Sequence, residues 1–415
     1  VELMRDPLGL RDIGVIVGYL GDHIRRHLGD GSAWDVRLTY VDCPDPDVGL
    51  AQGMALAESH LPRPFATILA DELYLDTNHA ELRAPDGDWF AVCGVMHTDD
   101  PRLIERNYSV AVRGSHIADV EEKPQHPTSD LLGCGTYLFT PEVFERIRTT
   151  PPSARSGRVE LMDVIGAVAR EGPRVFPFLL TGHYLNVNRV EDYHTGNYLA
   201  RTLAFDSYKT SVVIPAYNEE ESIGRVVADF VAHPLVDEVF VVDNSSKDAT
   251  AREARARGAR VATVPLHGSG DTIRPALGPA ADDILVIVEA DHSFRARDLG
   301  KLSEYLKDAD MAIGTRTTRQ MIEQGTNMQG AVRWANGFVG KLVEAMWWSQ
   351  EPRFTDVGCT YRALWRTAWR DIREQVRGLG PELSPELMVE MLRARKRVIE
   401  VPVSYFPRLG GDSKH

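Results

Sequence analysis

The segment VIVEADHS, Val286 to Ser293, closes a β-branched run on two carboxylates, Glu289 and Asp291, one residue apart. Val286, Ile287 and Val288 suit a central strand, and the acids would emerge at its end, where open α/β sheets bind ligands. The plain alternative is a solvated strand end. In an ideal strand the two side chains point to opposite faces, so a turn must intervene before they can share a ligand.

Three other stretches carry polar groups to the same kind of position. VVIPAYNEEESI puts Pro215, Asn218 and Glu219 at the end of one strand, where a nucleotide can meet backbone groups and a helix N-terminus. VVDNSSKDAT places Asp243 at the end of the next, able to accept hydrogen bonds from a base or a ribose. HGSGDTIRPAL supplies Gly268 and Gly270 ahead of a helix, where the chain can approach a bound group closely. Taken singly these are turn and cap residues, and His267 and His292 read as polar loop residues. Their order, each after a β-rich run, points to one site.

The elements that must position them alternate along the chain. IGVIVGYL, VRLTYV and FATILADE read as strands, with helices near Asp22 to Leu28 and Gln52 to Leu61 between them. Tyr193 to Ser207 is helical and polar, and the rhythm resumes at KTSVVIPAYNEE with a helix from about Glu221 to Ala232. This predicts an α/β protein of two Rossmann-like domains with mostly parallel sheets, 1–207 and 208–415. Later, NMQGAVRWANGFVGKLVEAMWW spaces Val332, Ala335, Phe338, Val339 and Leu342 for one helix face. That face is either core packing or a surface that meets a membrane or a lipid acceptor, with Trp347 and Trp348 near the interface.

The 415 residues exceed one ordinary core, and 43% hydrophobic with 26% charged residues is the composition of a folded chain. A net charge of −13 supplies no basic field for nucleic acid, which disfavours that partner. Cys43, Cys93, Cys134 and Cys359 are widely spaced, without metal-ligand pairing, and read as the reduced thiols of a cytosolic protein. No apolar run reaches the roughly 20 residues a bilayer span needs, and VELMRDPLGLRD lacks a signal-peptide core. Any membrane contact is therefore expected to be peripheral, at the inner face.

From Ser211 onward the chain resembles family 2 glycosyltransferases, most closely the dolichyl-phosphate and polyprenyl-phosphate sugar synthases. PAYNEE matches the family's opening motif, and VVDNSSKDAT its strand-end acidic motif with Asn244 in place of a second Asp. EAD stands at the Asp-x-Asp position, Glu289 replacing the first Asp. GTR at Gly314 to Arg316, TDVGCTYRALWR from Thr355 and the closing segment SPELMVEMLRARKRVIEVPVSYFPRLGGDSKH are also similar.

The resemblance implies a GT-A type fold, a nucleotide-sugar donor, and Mg²⁺ or Mn²⁺ held by Asp291 with Glu289 against the donor diphosphate. It also implies phosphate contacts from Arg408 and Lys414, a donor-side Arg316, and inverting transfer to a polyprenyl phosphate. For a hydroxyl acceptor Asp356 is the first base candidate, or else a structural cap. Cys359 lacks a base partner for covalent catalysis. Transfer to a sugar or small-molecule hydroxyl, and a noncatalytic nucleotide-sugar-binding scaffold, are the competing readings.

Over Ile13 to Arg201 the chain is similar to sugar-1-phosphate nucleotidyltransferases. GLAQGMALAESHL, FATILADELYL, VEEKP, GCGTYLF and YLNVNRVEDYHTGNYL carry the likeness. It implies a metal-binding Asp71, with Glu121 and Lys123 on the sugar-phosphate side. The plain alternatives are a strand-end polar residue and a surface salt bridge. Asn186 stands where a second metal-holding Asp is expected, and no glycine-rich phosphate loop precedes GVIVGYLGD. The expectation is a half that begins after its first βα unit and is either truncated or catalytically impaired.

Overall fold

The computed structural model describes residues 1–264, 277, 282–323, 331–350, 352–378 and 382–409. Contacts divide the chain into two compact units, Val1–Gly196 and Asn197–His415.

In the first unit β1 (Asp12–Val17) and β2 (Arg37–Asp42) form a separate parallel pair over a small core of Ile13, Val36 and Leu38. The larger sheet comprises β3 (Phe65–Ile68), β5 (Ala91–His97), β6 (Tyr108–Arg113), β7 (His116–Glu122), β8 (Leu131–Phe139) and β9 (Val175–Leu179). Its order is β7-β6-β8-β5-β9, with β3 also on β8. β4 (Glu72–Leu75) pairs antiparallel with β10 (His183–Asn186). Only β5 and β9 run parallel in the larger sheet, the other described pairs being antiparallel. The short connection through Gly114, at φ 63°, allows β6 and β7 no other arrangement. The helix Leu161–Glu171 covers this sheet by burying Leu161, Val164, Ile165 and Val168, spaced one turn apart.

One buried group ties this unit's stability to pH. His79 is 0% exposed, its Nδ1 2.7 Å from Thr77 Oγ1 and its Nε2 3.0 Å from Thr136 Oγ1, and burial lowers its pKa to about 4. Below its unfolded value the unfolded chain takes up a proton that the native state refuses. Stability is therefore lost as pH falls from about 6.5 through about 4, by up to about 3 kcal/mol. Urea midpoints of the wild type and of His79→Gln should diverge over that window, the variant showing the shallower loss.

The second unit is built on β11 (Thr210–Ala216), β12 (Glu238–Asp243), β13 (Arg260–Thr263), β14 (Ile284–Ile287), β15 (Met311–Thr315), β16 (Arg362–Trp365) and β17 (Val398–Pro402). The order is β13-β12-β11-β14-β16-β15-β17. The first four strands are parallel to one another, as are β15 and β17, while β16 runs antiparallel to both its neighbours. The helix Ile223–Val231 packs Ile223, Val226, Val227 and Phe230 onto the sheet. β12 and β14 flank β11 on opposite sides, so the strand order reverses there and opens a crevice at the carboxyl ends.

Candidate functional site

The crevice collects the strand-end residues of three motifs. β14 ends at Ile287, two residues before Glu289, and the chain turns so that His292 has φ 66°. That turn lets Glu289 and Asp291 act on each other: burial first, and then the Asp291 charge, raise the Glu289 carboxyl pKa. Asp291 is buried and its Oδ1 accepts the Ser293 N–H at 2.9 Å. His292 is also buried, with Nε2 against Arg295, and burial lowers its pKa.

On the other side of the crevice, the loops after β11 and β12 are stitched together. Asn218, at φ 50°, donates its N–H to Ser246 Oγ at 2.9 Å and accepts the Lys247 N–H at 2.8 Å. The Glu219 N–H reaches Thr250 Oγ1 at 2.8 Å, and buried Asp243 accepts the Ser246 N–H at 3.2 Å. Pro215 pairs with Val242 but lies beyond the β14 register, which ends at Val213, so its missing N–H breaks no ladder.

The C-terminal segment bridges these two sides. Phe406 donates its N–H to the Ser293 carbonyl and Leu409 to the Asp291 carbonyl, each at 3.0 Å. Arg408 is thereby held with Nη2 3.1 Å from Glu219 Oε1 and Nε 3.9 Å from Asp291 Oδ2. Its buried Nε has no hydrogen-bond partner. Gly268, Gly270 and Lys414 lie outside the described residues.

Among the described residues no three His, Cys, Asp or Glu side chains gather as a metal cage. Two neighbouring carboxylates suit a cation that takes its remaining ligands from substrate phosphates. The donor set at Glu289 and Asp291 fits that arrangement.

Arg316 and Asp356 pair with each other beside this group, and the Arg316 charge acts on Glu289 against the effect of burial. Asp356 is 0% exposed and Arg316 is buried. The guanidinium donates to both carboxylate oxygens, Nε to Oδ2 at 2.8 Å and Nη2 to Oδ1 at 2.9 Å, and the Arg316 N–H adds a third bond to Oδ2 at 2.9 Å. Glu400 accepts the Thr355 and Asp356 N–H groups at 2.8 Å each, fixing the loop that carries the acid. So enclosed, the Asp356 carboxylate is shut off from solvent, and the Nε and Nη2 of Arg316 are committed to it. The Cys359 thiol is buried and pushed up to about 12, which leaves it unreactive. Arg362, buried, spends its guanidinium on the carbonyls of Val357, Cys359 and Ser384.

In the first unit Asp71 is exposed, and its carbonyl accepts the Val187 N–H at 2.7 Å, which sets it beside Asn186. Glu121 and Lys123 are exposed, and the Lys123 N–H donates to the Asn107 carbonyl at 2.7 Å. Asn107 Oδ1 also accepts from Asn186 Nδ2 at 3.1 Å, so Asn107 joins the two motifs. Sequence reasoning missed it, and an isolated Asn after a short helix gives little signal. It missed Glu72 as well. That carboxylate accepts Tyr74 and Tyr184 hydroxyls at 2.5 and 2.7 Å and the Gly135 N–H at 2.8 Å, and burial raises its pKa.

Comparison with known proteins finds a likeness for each half. The Nucleotidyl transferase pattern matches residues 3–202 and the Glycosyl transferase family 2 pattern residues 211–362. A glucose-1-phosphate thymidylyltransferase of Streptomyces antibioticus is 30% identical over 189 residues, covering 44% of this chain and 51% of the relative. An uncharacterised glycosyltransferase of Mycobacterium bovis is 40% identical over 107 residues, covering 26% of this chain and 48% of the relative. The chain thus spans about half the length of these curated relatives. A solved glucosyl-3-phosphoglycerate synthase of Mycobacterium tuberculosis, bound to Mn²⁺, UDP-glucose and phosphoglyceric acid, is similar at 20% identity with a TM-score of 0.42, over 53% of this chain and 77% of that one. The chain thus resembles nucleotidyl transferases through residues 3–202 and glycosyl transferase family 2 through residues 211–362.

Proposed function

We propose that the second unit transfers a sugar, with inversion, from a nucleotide-sugar to a polyprenyl phosphate. The observation that carries the transfer reading is Arg408 lodged between Glu219 and Asp291 at the sheet's reversal point. Pro215, Asn218, Glu219 and Asp243 line the donor side, and Arg408 faces the diphosphate. An acceptor phosphate oxygen attacks the anomeric carbon as the bond to the diphosphate breaks, and the nucleoside diphosphate departs. A phosphate monoester with a second pKa of about 6 arrives ionised, so the step needs no base. A divalent cation, Mg²⁺ or Mn²⁺, at Asp291 and Glu289 would neutralise charge on the leaving diphosphate. Arg316 and Asp356 hold the acceptor-side loop in shape.

A lipid acceptor is favoured by the helix Ala331–Met346. Trp334, Phe338, Leu342 and Met346 recur at helical spacing and are exposed, Trp334 and Met346 each at 72%. The Trp334 and Phe338 rings stack 5.4 Å apart, and Trp348 beyond the helix is also exposed, while Trp347 is half-buried. The side chain of Val332 lies outside the described residues. The same helix turns inward at Val343 and at Gly340, where a Cβ would sit 2.6 Å from the Phe354 carbonyl. No helix among the described residues is long and apolar enough to cross a membrane, and the contact proposed here is peripheral, through this exposed face.

Mass spectrometry should detect a glycosyl phospholipid when mixed nucleotide sugars meet short-chain polyprenyl phosphate with Mg²⁺ or Mn²⁺, and none with EDTA. Donor consumption without a lipid product would redirect the reading to hydroxyl acceptors. Trp334→Ser with Phe338→Ser should raise KM for the lipid by about tenfold or more, from lost apolar burial, at unchanged donor KM. An unchanged lipid KM would detach this helix from the acceptor.

A further inference from the structure

Asn186 stands opposite Glu72 in the β4–β10 register and beside Asp71, through the bond from the Val187 N–H to the Asp71 carbonyl. For this pair to hold a hard divalent cation, position 186 would have to offer an oxygen to it. The hydrogen bonds around it spend that oxygen elsewhere. Asn107 Nδ2 donates to the Leu103 carbonyl at 3.0 Å, and a carbonyl can only accept, so Asn107 must present Oδ1 to Asn186. Asn186 therefore presents Nδ2 to Asn107, at 3.1 Å, and keeps Oδ1 for Asn188, whose Nδ2 donates at 2.8 Å. The three amides form a relay that can run in one direction only.

A carboxylate at position 186 would face Asn107 Oδ1 with no proton between the two oxygens. Turning Asn107 over would set an oxygen against the Leu103 carbonyl instead. The position is thus constructed for an amide. The neighbouring Glu72 is no substitute, since Tyr74, Tyr184 and Gly135 already occupy both its oxygens. Asp71 remains alone as an available carboxylate.

We infer that the first unit is built to do without a divalent cation, the amide relay Asn188–Asn186–Asn107 standing where an acidic pair would be needed. Metal-dependent nucleotidyl transfer is thereby removed from this half. The second unit's own cation rests on the function proposed above, and the two claims separate in one experiment.

The full chain is titrated with Mn²⁺, alone and with UDP, GDP or dTDP, and free Mn²⁺ is counted by electron paramagnetic resonance. The expected result is at most one ion per chain, retained in Asp71→Asn and removed by Asp291→Asn. A second ion, or any ion lost in Asp71→Asn, overturns the inference. No ion under any condition upholds it while counting against the cation of the second unit. In Asn186→Asp, a lowered Tm without a gained ion is expected. A gained ion at unchanged Tm would show that the relay does not exclude metal.

Discussion

Asp291→Asn should reduce sugar transfer by about 10³-fold while the protein stays folded, because electrostatic stabilisation of a departing charge is commonly a large share of the rate. The fold should tolerate the change. The side chain makes one local bond, to the Ser293 N–H, which an amide oxygen can also accept, and the Leu409 N–H binds the residue's backbone carbonyl. Arg408 then loses one of its two acidic neighbours but keeps Glu219 at 3.1 Å. Glu219→Gln should therefore cost less than Asp291→Asn, since it loosens Arg408 without touching the carboxylate that faces the diphosphate. Circular dichroism and Tm establish that the variants are folded, and turnover is then measured with and without Mn²⁺. Metal-dependent turnover of Asp291→Asn within threefold of wild type would remove Asp291 from the proposed reaction.

Much of this crevice was legible before any coordinates. A β-branched run that stops on a polar residue marks a strand end, and parallel strands connected by helices place their carboxyl ends on one side. Asp243, Asn218 and Asp291 are found in that way. Partners distant in sequence were not legible. Arg316 meets Asp356 only because β16 inserts between β14 and β15 and brings the loop before it back across 40 residues. Nothing local to either residue encodes that insertion.

The helix Ala331–Met346 shows another limit: a stripe of Phe338 and Leu342 has the same period whether it is buried or exposed. In the first unit the strand rhythm suggested parallel pairing, but short connections such as that through Gly114 fold successive strands back as hairpins. The amide relay was invisible because each Asn is unremarkable alone, and its meaning lies in the direction of the bonds.

Asp356→Asn should be the most destabilising of the single substitutions considered, by about 3 to 5 kcal/mol, the usual result of leaving one member of a buried ion pair unpartnered. Asp356 is fully buried and Arg316 accepts no compensation from water, so the amide would leave a buried guanidinium facing a neutral group. Asp356→Leu with Arg316→Met should recover much of the loss, since removing both charges also removes the desolvation cost of burying them. A general base predicts the opposite pattern: Asp356→Asn would fold with the Tm of the wild type and lose turnover, and the double variant would rescue nothing. Chemical denaturation and turnover per folded molecule, measured on the wild type, Asp356→Asn and the double variant, separate the two roles. The geometry favours the structural one, because Arg316 engages both oxygens and Glu400 pins the backbone that presents them.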